Sequence, residues 1–221
     1  MKKQGKVYLI GAGPGDPGLL TLKGRDCLAE ADAVVYDRLA DPRILGWVRP
    51  EAERIYVGKA SAQHTMKQED INKLLVKLAA EGKIVARLKG GDSFVFGRGG
   101  EEALLLKENG LPFEFIPGIT SAISVPEYAG IPVTHRKVAA SFAVITGHED
   151  PSREQSGINW QGLAKGVDTL IFLMGVENLK HISARLIEHG RPAETPAALI
   201  RWGTHPEQRT LITTLGNAYE D

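Results

Sequence analysis

Short apolar runs alternate with amphipathic segments through the first half of the chain. KVYLIGAG, from Lys6, reads as a strand, LLTLKGRDCLAEA as a helix and AVVYD as a second strand. A helix is expected from Met66 to Glu81, with Thr65 and Gln68 at capping-box spacing, Ile71, Leu74, Leu75 and Leu78 on one stripe, and Gly82 as its stop. KIVARLKGG then reads as a strand entering a glycine-rich loop, EEALLLKEN as a helix closed by Gly110, and PFEFIPG as a strand with Phe113 and Phe115 on one face. Strands alternating with helices at this rhythm predict a parallel sheet.

After Pro117 the pattern resets. GITSAISVPEYAGIPVTHR, rich in small and turn-forming residues, predicts a loop, a short helix and a connector, and marks the boundary between two domains, 1–116 and 117–221. SFAVITGH follows as a strand, Glu149 to Gly157 as a loop, and DTLIFLMG as a continuous apolar strand suited to the middle of a covered sheet. The helix ENLKHISARLIEH carries Leu179, Ile182 and Leu186 on one face and ends at Gly190. PAALIRWGT and RTLITTLG, separated by HPEQ, predict a hairpin.

Composition narrows the function classes. With 27 basic and 27 acidic residues the chain lacks the electrostatic footprint of a general nucleic-acid binder, so an anionic partner must be met by local basic residues. No apolar run approaches the ~20 residues of a membrane span. The single cysteine, Cys27, permits no internal disulfide, which makes a reducing cytoplasm the expected compartment, and its position in a helix suits a small buried residue better than a nucleophile. The six histidines form no Cys/His/carboxylate cluster in the sequence, so no metal is expected.

Ligands of open α/β sheets collect at the carboxyl ends of the strands. Four loops there stand out: GAGPGDPG, YDRL, KGGDSFVFGRGG and LMGVEN. Gly11 and Gly13 begin a dinucleotide-binding pattern, but Pro14, Gly15 and Asp16 follow, and an aspartate stands where a pyrophosphate would sit. The two Gly-Asp pairs, Gly15-Asp16 and Gly91-Asp92, suit a cationic, adenosine-like ligand without phosphates; the alternative is that both aspartates cap turns.

Together GAGPGDPGLLTLKG, VVYDRL, RLKGGDSFVFGRGGEE, PGITSA, GIPVTHR and LMGVENL, in this order and spacing, resemble the tetrapyrrole methylase family over nearly the whole chain. The resemblance implies two α/β domains with the cofactor cleft between them, a homodimer, and S-adenosylmethionine as cofactor, leaving as S-adenosylhomocysteine. It is strongest to members that methylate uroporphyrinogen III twice, giving precorrin-2, the precursor of sirohaem and corrinoids. A sister enzyme acting on a later corrin intermediate is the alternative.

Carried over by position, the family's cofactor contacts fall on Pro14, on Gly90, Gly91 and Asp92, and on Val95. They continue at Thr120 and Ser121, at Met174 and at Gly203. The acid and base roles fall on Asp37 and Lys59, with Asp37 either taking a proton or holding an arginine such as Arg38 or Arg136. A substrate with eight carboxylates needs a basic lining, for which Arg38, Arg87, Lys89, Arg98 and Arg136 are the candidates. Two departures stand out: Ser93 where members have proline after the GGD, and an expected further helix and strand beyond Asp221.

Overall fold

The structure, a computed structural model, describes residues 5–58, 66–149 and 156–221. The chain forms two compact units, Met1–Ser121 and Ala122–Asp221.

In the first unit, strands β1 (Lys6–Gly11), β2 (Ala33–Tyr36), β3 (Glu53–Tyr56), β4 (Ile84–Lys89) and β5 (Phe113–Ile116) form one parallel sheet in the order β3-β2-β4-β1-β5. Helices α1 (Leu22–Glu30), α2 (Gln68–Ala80) and α3 (Gly99–Glu108) connect them. Strand alternation divides the core between the two faces. Tyr8, Ile10, Val34, Ala86 and Leu88 pack with Cys27 and Leu28 of α1. Val7, Leu9, Ala33, Val35 and Val85 pack with Ile71, Leu75 and Leu78 of α2 and with Ala103 and Leu106 of α3. The crossover from β1 therefore leaves on one face and that from β4 on the other. Since β1 and β4 are neighbours, their carboxyl ends form a topological switch point.

β3 is absent from the reading of the sequence because ERIY exposes three of its four residues and carries no apolar run. The expected capping box on α2 is corrected. The N-cap is Lys67, with no side-chain cap bond, Thr65 lies outside the described residues, and Gln68 turns to Asn72 and Glu102 instead.

In the second unit, α4 (Ser121–Tyr128) is followed by β6 (Phe142–Thr146), α5 (Trp160–Gly166), β7 (Thr169–Leu173), α6 (Leu179–Glu188), β8 (Pro196–Arg201) and β9 (Arg209–Thr214). β6 and β7 pair in parallel, and β8 and β9 form the expected antiparallel hairpin. Trp160 and Ala164 of α5 and Ile182 and Leu186 of α6 make a small core with Leu215. The expectation that DTLIFLMG lies in the middle of a covered sheet is corrected. Among the described residues β7 pairs only with β6, and all five of its residues are half-buried. No helix among the described residues is long and apolar enough to cross a membrane.

Candidate active site

Three loops meet at the carboxyl ends of β1, β4 and β5. The Gly91 amide donates to the Gly13 carbonyl at 2.7 Å, Gly13 returns a bond at 3.2 Å, and Ala12 N–H reaches the Lys89 carbonyl at 2.7 Å. Glycine is required where the backbones touch. A Cβ on Gly11 would stand 2.5 Å from the Gly118 backbone, and one on Gly90 would stand 2.5 Å from the Leu39 Cβ. Gly91 is different, because the space above it is open and its φ of +67° is what excludes a side chain.

Asp92 staples this junction. Its Oδ2 accepts the Gly118 amide at 3.0 Å and its Oδ1 the Phe94 amide at 2.8 Å. Asp16 accepts the Gly18 amide at 2.8 Å and caps a short 3-10 turn, Pro17–Leu19. Both Gly-Asp carboxylates thus shape their loops. Each oxygen of Asp92 keeps a second lone pair, so that role leaves acceptor capacity for a ligand. Pro14, Val95 and Thr120 lie half-buried at the same strand ends, and Ser121 opens α4. Bare backbone, open space above Gly91 and an anionic carboxylate fit a phosphate-free cationic cofactor such as S-adenosylmethionine.

The β2 end carries Asp37, whose Oδ1 accepts the Leu39 amide at 3.0 Å and whose Oδ2 accepts Arg87 Nη2 at 3.2 Å. The arginine it holds is therefore Arg87, rather than Arg38 or Arg136. The expectation that Arg87 and Lys89 meet substrate carboxylates directly is corrected, since their side chains are only 3% and 6% exposed. On β4 both point to the face covered by α2 and α3, where Glu102 Oε1 receives Arg87 Nε at 3.1 Å and Lys89 Nζ at 2.9 Å. Burial, with Arg87 alongside, pushes the Lys89 pKa down, although Glu102 opposes the shift.

Arg98 is exposed and forms a two-pronged pair with Glu101, both bonds at 2.7 Å. The hydrogen bonds to the Glu101 carboxylate push the Arg98 pKa up, and the Arg98 guanidinium in turn holds the Glu101 carboxyl below its ordinary range. Arg38 and Arg136 are exposed. Lys59 lies outside the described residues. In the second unit Met174 follows β7 with φ 58° and an exposed side chain, beside Gly147, whose carbonyl accepts Asn178 Nδ2 at 2.6 Å. Gly203 sits between two left-handed residues, Trp202 and Thr204, and a Cβ there would collide with Val125. Among the described residues no cluster of His, Cys, Asp and Glu could hold a metal ion.

Sequence reasoning does not single out Glu102, and it gives Gln68 only a helix-capping role. The available signal is the period of β4, because Arg87 and Lys89 fall on a face that must be buried and so require a buried counter-charge.

A parallel sheet with bare-glycine loops at a switch point defines an α/β enzyme taking a small ligand at its strand ends. The sequence model described as Tetrapyrrole (Corrin/Porphyrin) Methylases matches residues 6–219, and the chain belongs to that family. It is 56% identical over 212 residues to a uroporphyrinogen-III C-methyltransferase of Priestia megaterium, covering 96% of this chain and 89% of the relative. It is 54% identical over 217 residues to the protein of the same name from Methanocaldococcus jannaschii, covering 98% and 89%. The solved uroporphyrin-III C-methyl transferase of Thermus thermophilus, complexed with S-adenyl homocysteine, is similar at a TM-score of 0.83 and 41% identity, covering 97% of this chain and 90% of that one.

Proposed function

We propose that this chain methylates uroporphyrinogen III twice at carbon, giving precorrin-2 for sirohaem and corrinoid synthesis. The observation that carries the reading is the apposition of Gly11, Gly91 and Gly118 around Asp92, in a chain whose relatives of that activity match it over nearly their full length.

When bound, S-adenosylmethionine supplies an electrophilic methyl group on a sulfonium. Transfer to a pyrrole carbon forms one carbon–carbon bond as the carbon–sulfur bond breaks, and alignment supplies most of the acceleration. In this reading Pro14, Gly90, Gly91, Asp92 and Val95 hold the cofactor together with Thr120 and Ser121, and Met174 and Gly203 are the cofactor positions of the second unit. Arg38, Arg98 and Arg136, all exposed, receive substrate carboxylates. Asp37, fixed on both oxygens yet 23% exposed, takes the proton that the methylated macrocycle must lose. Lys59 is the second candidate for an acid or carboxylate-binding role. The protein acts as a cytoplasmic homodimer.

The test is anaerobic incubation with uroporphyrinogen III and methyl-labelled S-adenosylmethionine, followed by mass analysis of the tetrapyrrole. Gain of two labelled methyl groups is the expected result. Unchanged uroporphyrinogen III, with label entering a later corrin intermediate supplied in a parallel incubation, would replace this substrate with that of a sister enzyme.

A further inference from the structure

Two cations on the buried face of a strand demand explanation. β4 places Val85, Arg87 and Lys89 in succession toward α2 and α3, where Val85 joins the apolar core and the other two cannot. Glu102, fully buried in the first turn of α3, answers them through a single oxygen. Its Oε1 accepts from Arg87 Nε, Lys89 Nζ and, at 3.1 Å, Gln68 Nε2 of α2, while Oε2 has no hydrogen-bond partner among the described residues. Desolvating such a group is costly, and apolar residues of similar volume often stabilise a core as well or better. Stability alone therefore does not account for the cluster.

Its geometry leads to Asp37. Arg87 spends Nη1 on the Leu88 carbonyl at 2.9 Å and the Val35 carbonyl at 3.3 Å, so Nε toward Glu102 and Nη2 toward Asp37 are fixed in one rigid plane. Exposure rises along the series, from 0% for Glu102 and 3% for Arg87 to 23% for Asp37. Asp37 is the carboxylate of this cluster that can meet a ligand.

We infer that Glu102 is a positioning residue for Asp37, acting through Arg87, and that Lys89 and Gln68 serve Glu102 rather than the substrate. Glu102 and Gln68 tie the arginine to α3 and α2, and the arginine fixes the carboxylate at the β2 end. This rests on the reading of Asp37 as the proton acceptor. Losing the anchor lets the Asp37 carboxylate rotate, and misplacement on the scale of an ångström costs roughly ten- to a hundredfold in rate.

The experiment compares the full chain with E102Q, R87K, D37N and the E102Q/D37N double variant. It measures kcat and KM for uroporphyrinogen III, the Kd of S-adenosylhomocysteine by calorimetry, and thermal unfolding. Expected for E102Q and R87K is a fall in kcat of about tenfold or more, with KM and the cofactor-product Kd each changed less than about threefold. In the D37N background E102Q should add less than about twofold, because the two act in series. R87K keeps a cation beside Glu102 but gives up the fork that bridges both carboxylates, so it decides the matter should E102Q not fold. A folded E102Q or R87K with full kcat, or a loss fully additive with D37N, overturns the inference and leaves the Asp37 reading standing. Full activity in D37N overturns that reading and the inference with it.

Discussion

Gly11 and Gly118 meet backbone to backbone: a Cβ on Gly11 would stand 2.5 Å from both the Cα and the amide nitrogen of Gly118, and 2.7 Å from the Gly91 carbonyl oxygen. Those atoms belong to the ends of β1, β5 and β4, so one methyl group would wedge three strand ends apart. No flexible side chain is available to yield. G11A should therefore lower stability by about 1–3 kcal/mol, the usual cost of overpacking. It should also weaken S-adenosylhomocysteine binding by about tenfold or more. Thermal unfolding and calorimetric titration check both, and a G11A protein binding with wild-type affinity would remove this junction from the cofactor site.

Gly203 is constrained by a side chain rather than by backbone. The Cβ of an alanine there would lie 2.8 Å from the Val125 Cβ and closer still to its methyl groups. G203A should cost about 1–3 kcal/mol, and V125A should relieve most of it, giving a favourable coupling of about 1 kcal/mol in a double-mutant cycle. If stability returns in G203A/V125A but binding of S-adenosylhomocysteine does not, the bare backbone of Gly203 is itself required by the cofactor.

What could be read in the sequence follows from where burial leaves a periodic trace. β1, β2 and β4 announce themselves as apolar runs because the sheet is covered on both faces, by α1 on one and by α2 and α3 on the other. β5, at one edge of the sheet, shows through the alternation of Phe113 and Phe115 about Glu114. β3 does not, since Glu53, Arg54 and Tyr56 of this edge strand are exposed. α5, seven residues with two glycines, carries little helical pattern, although Asn159 capping the Gly162 amide at 3.0 Å was a usable start signal. The glycine loops and Asp37 were legible from their places after strands. Glu102 was not, because a glutamate in the first turn of a helix ordinarily faces water, and only the fold brings Arg87, Lys89 and Gln68 to it from β4 and α2.

Cys27 is 7% exposed and packs against the sheet from α1, and burial pushes its thiol pKa up. The thiolate is the reactive form, so the native protein should resist a thiol reagent at mildly alkaline pH and titrate one thiol per chain on unfolding. Rapid stoichiometric labelling of the native protein, or loss of methyl transfer in C27A, would contradict this purely packing role.

Glu114 on β5 sits between two lysines. Its Oε2 accepts Lys6 Nζ at 2.7 Å, and its Oε1 accepts Lys23 Nζ of α1. The Lys23 and Lys6 hydrogen bonds, with lesser Coulombic help, hold its carboxyl at about 2, below its ordinary value of 4.5. A depressed folded-state pKa contributes stability that is present above the unfolded value and lost as pH falls through the folded one. The contribution is therefore complete above a pH of 4.5 and gone below about 2. E114Q should be less stable than the parent near neutral pH, and the gap should close across that acid window. Because all three side chains reach solvent, high salt should also narrow the gap. Denaturant unfolding of both proteins at neutral pH, in the acid window and in about 1 M salt measures this. A gap independent of both pH and salt would mean that Glu114 contributes through packing rather than through its charge.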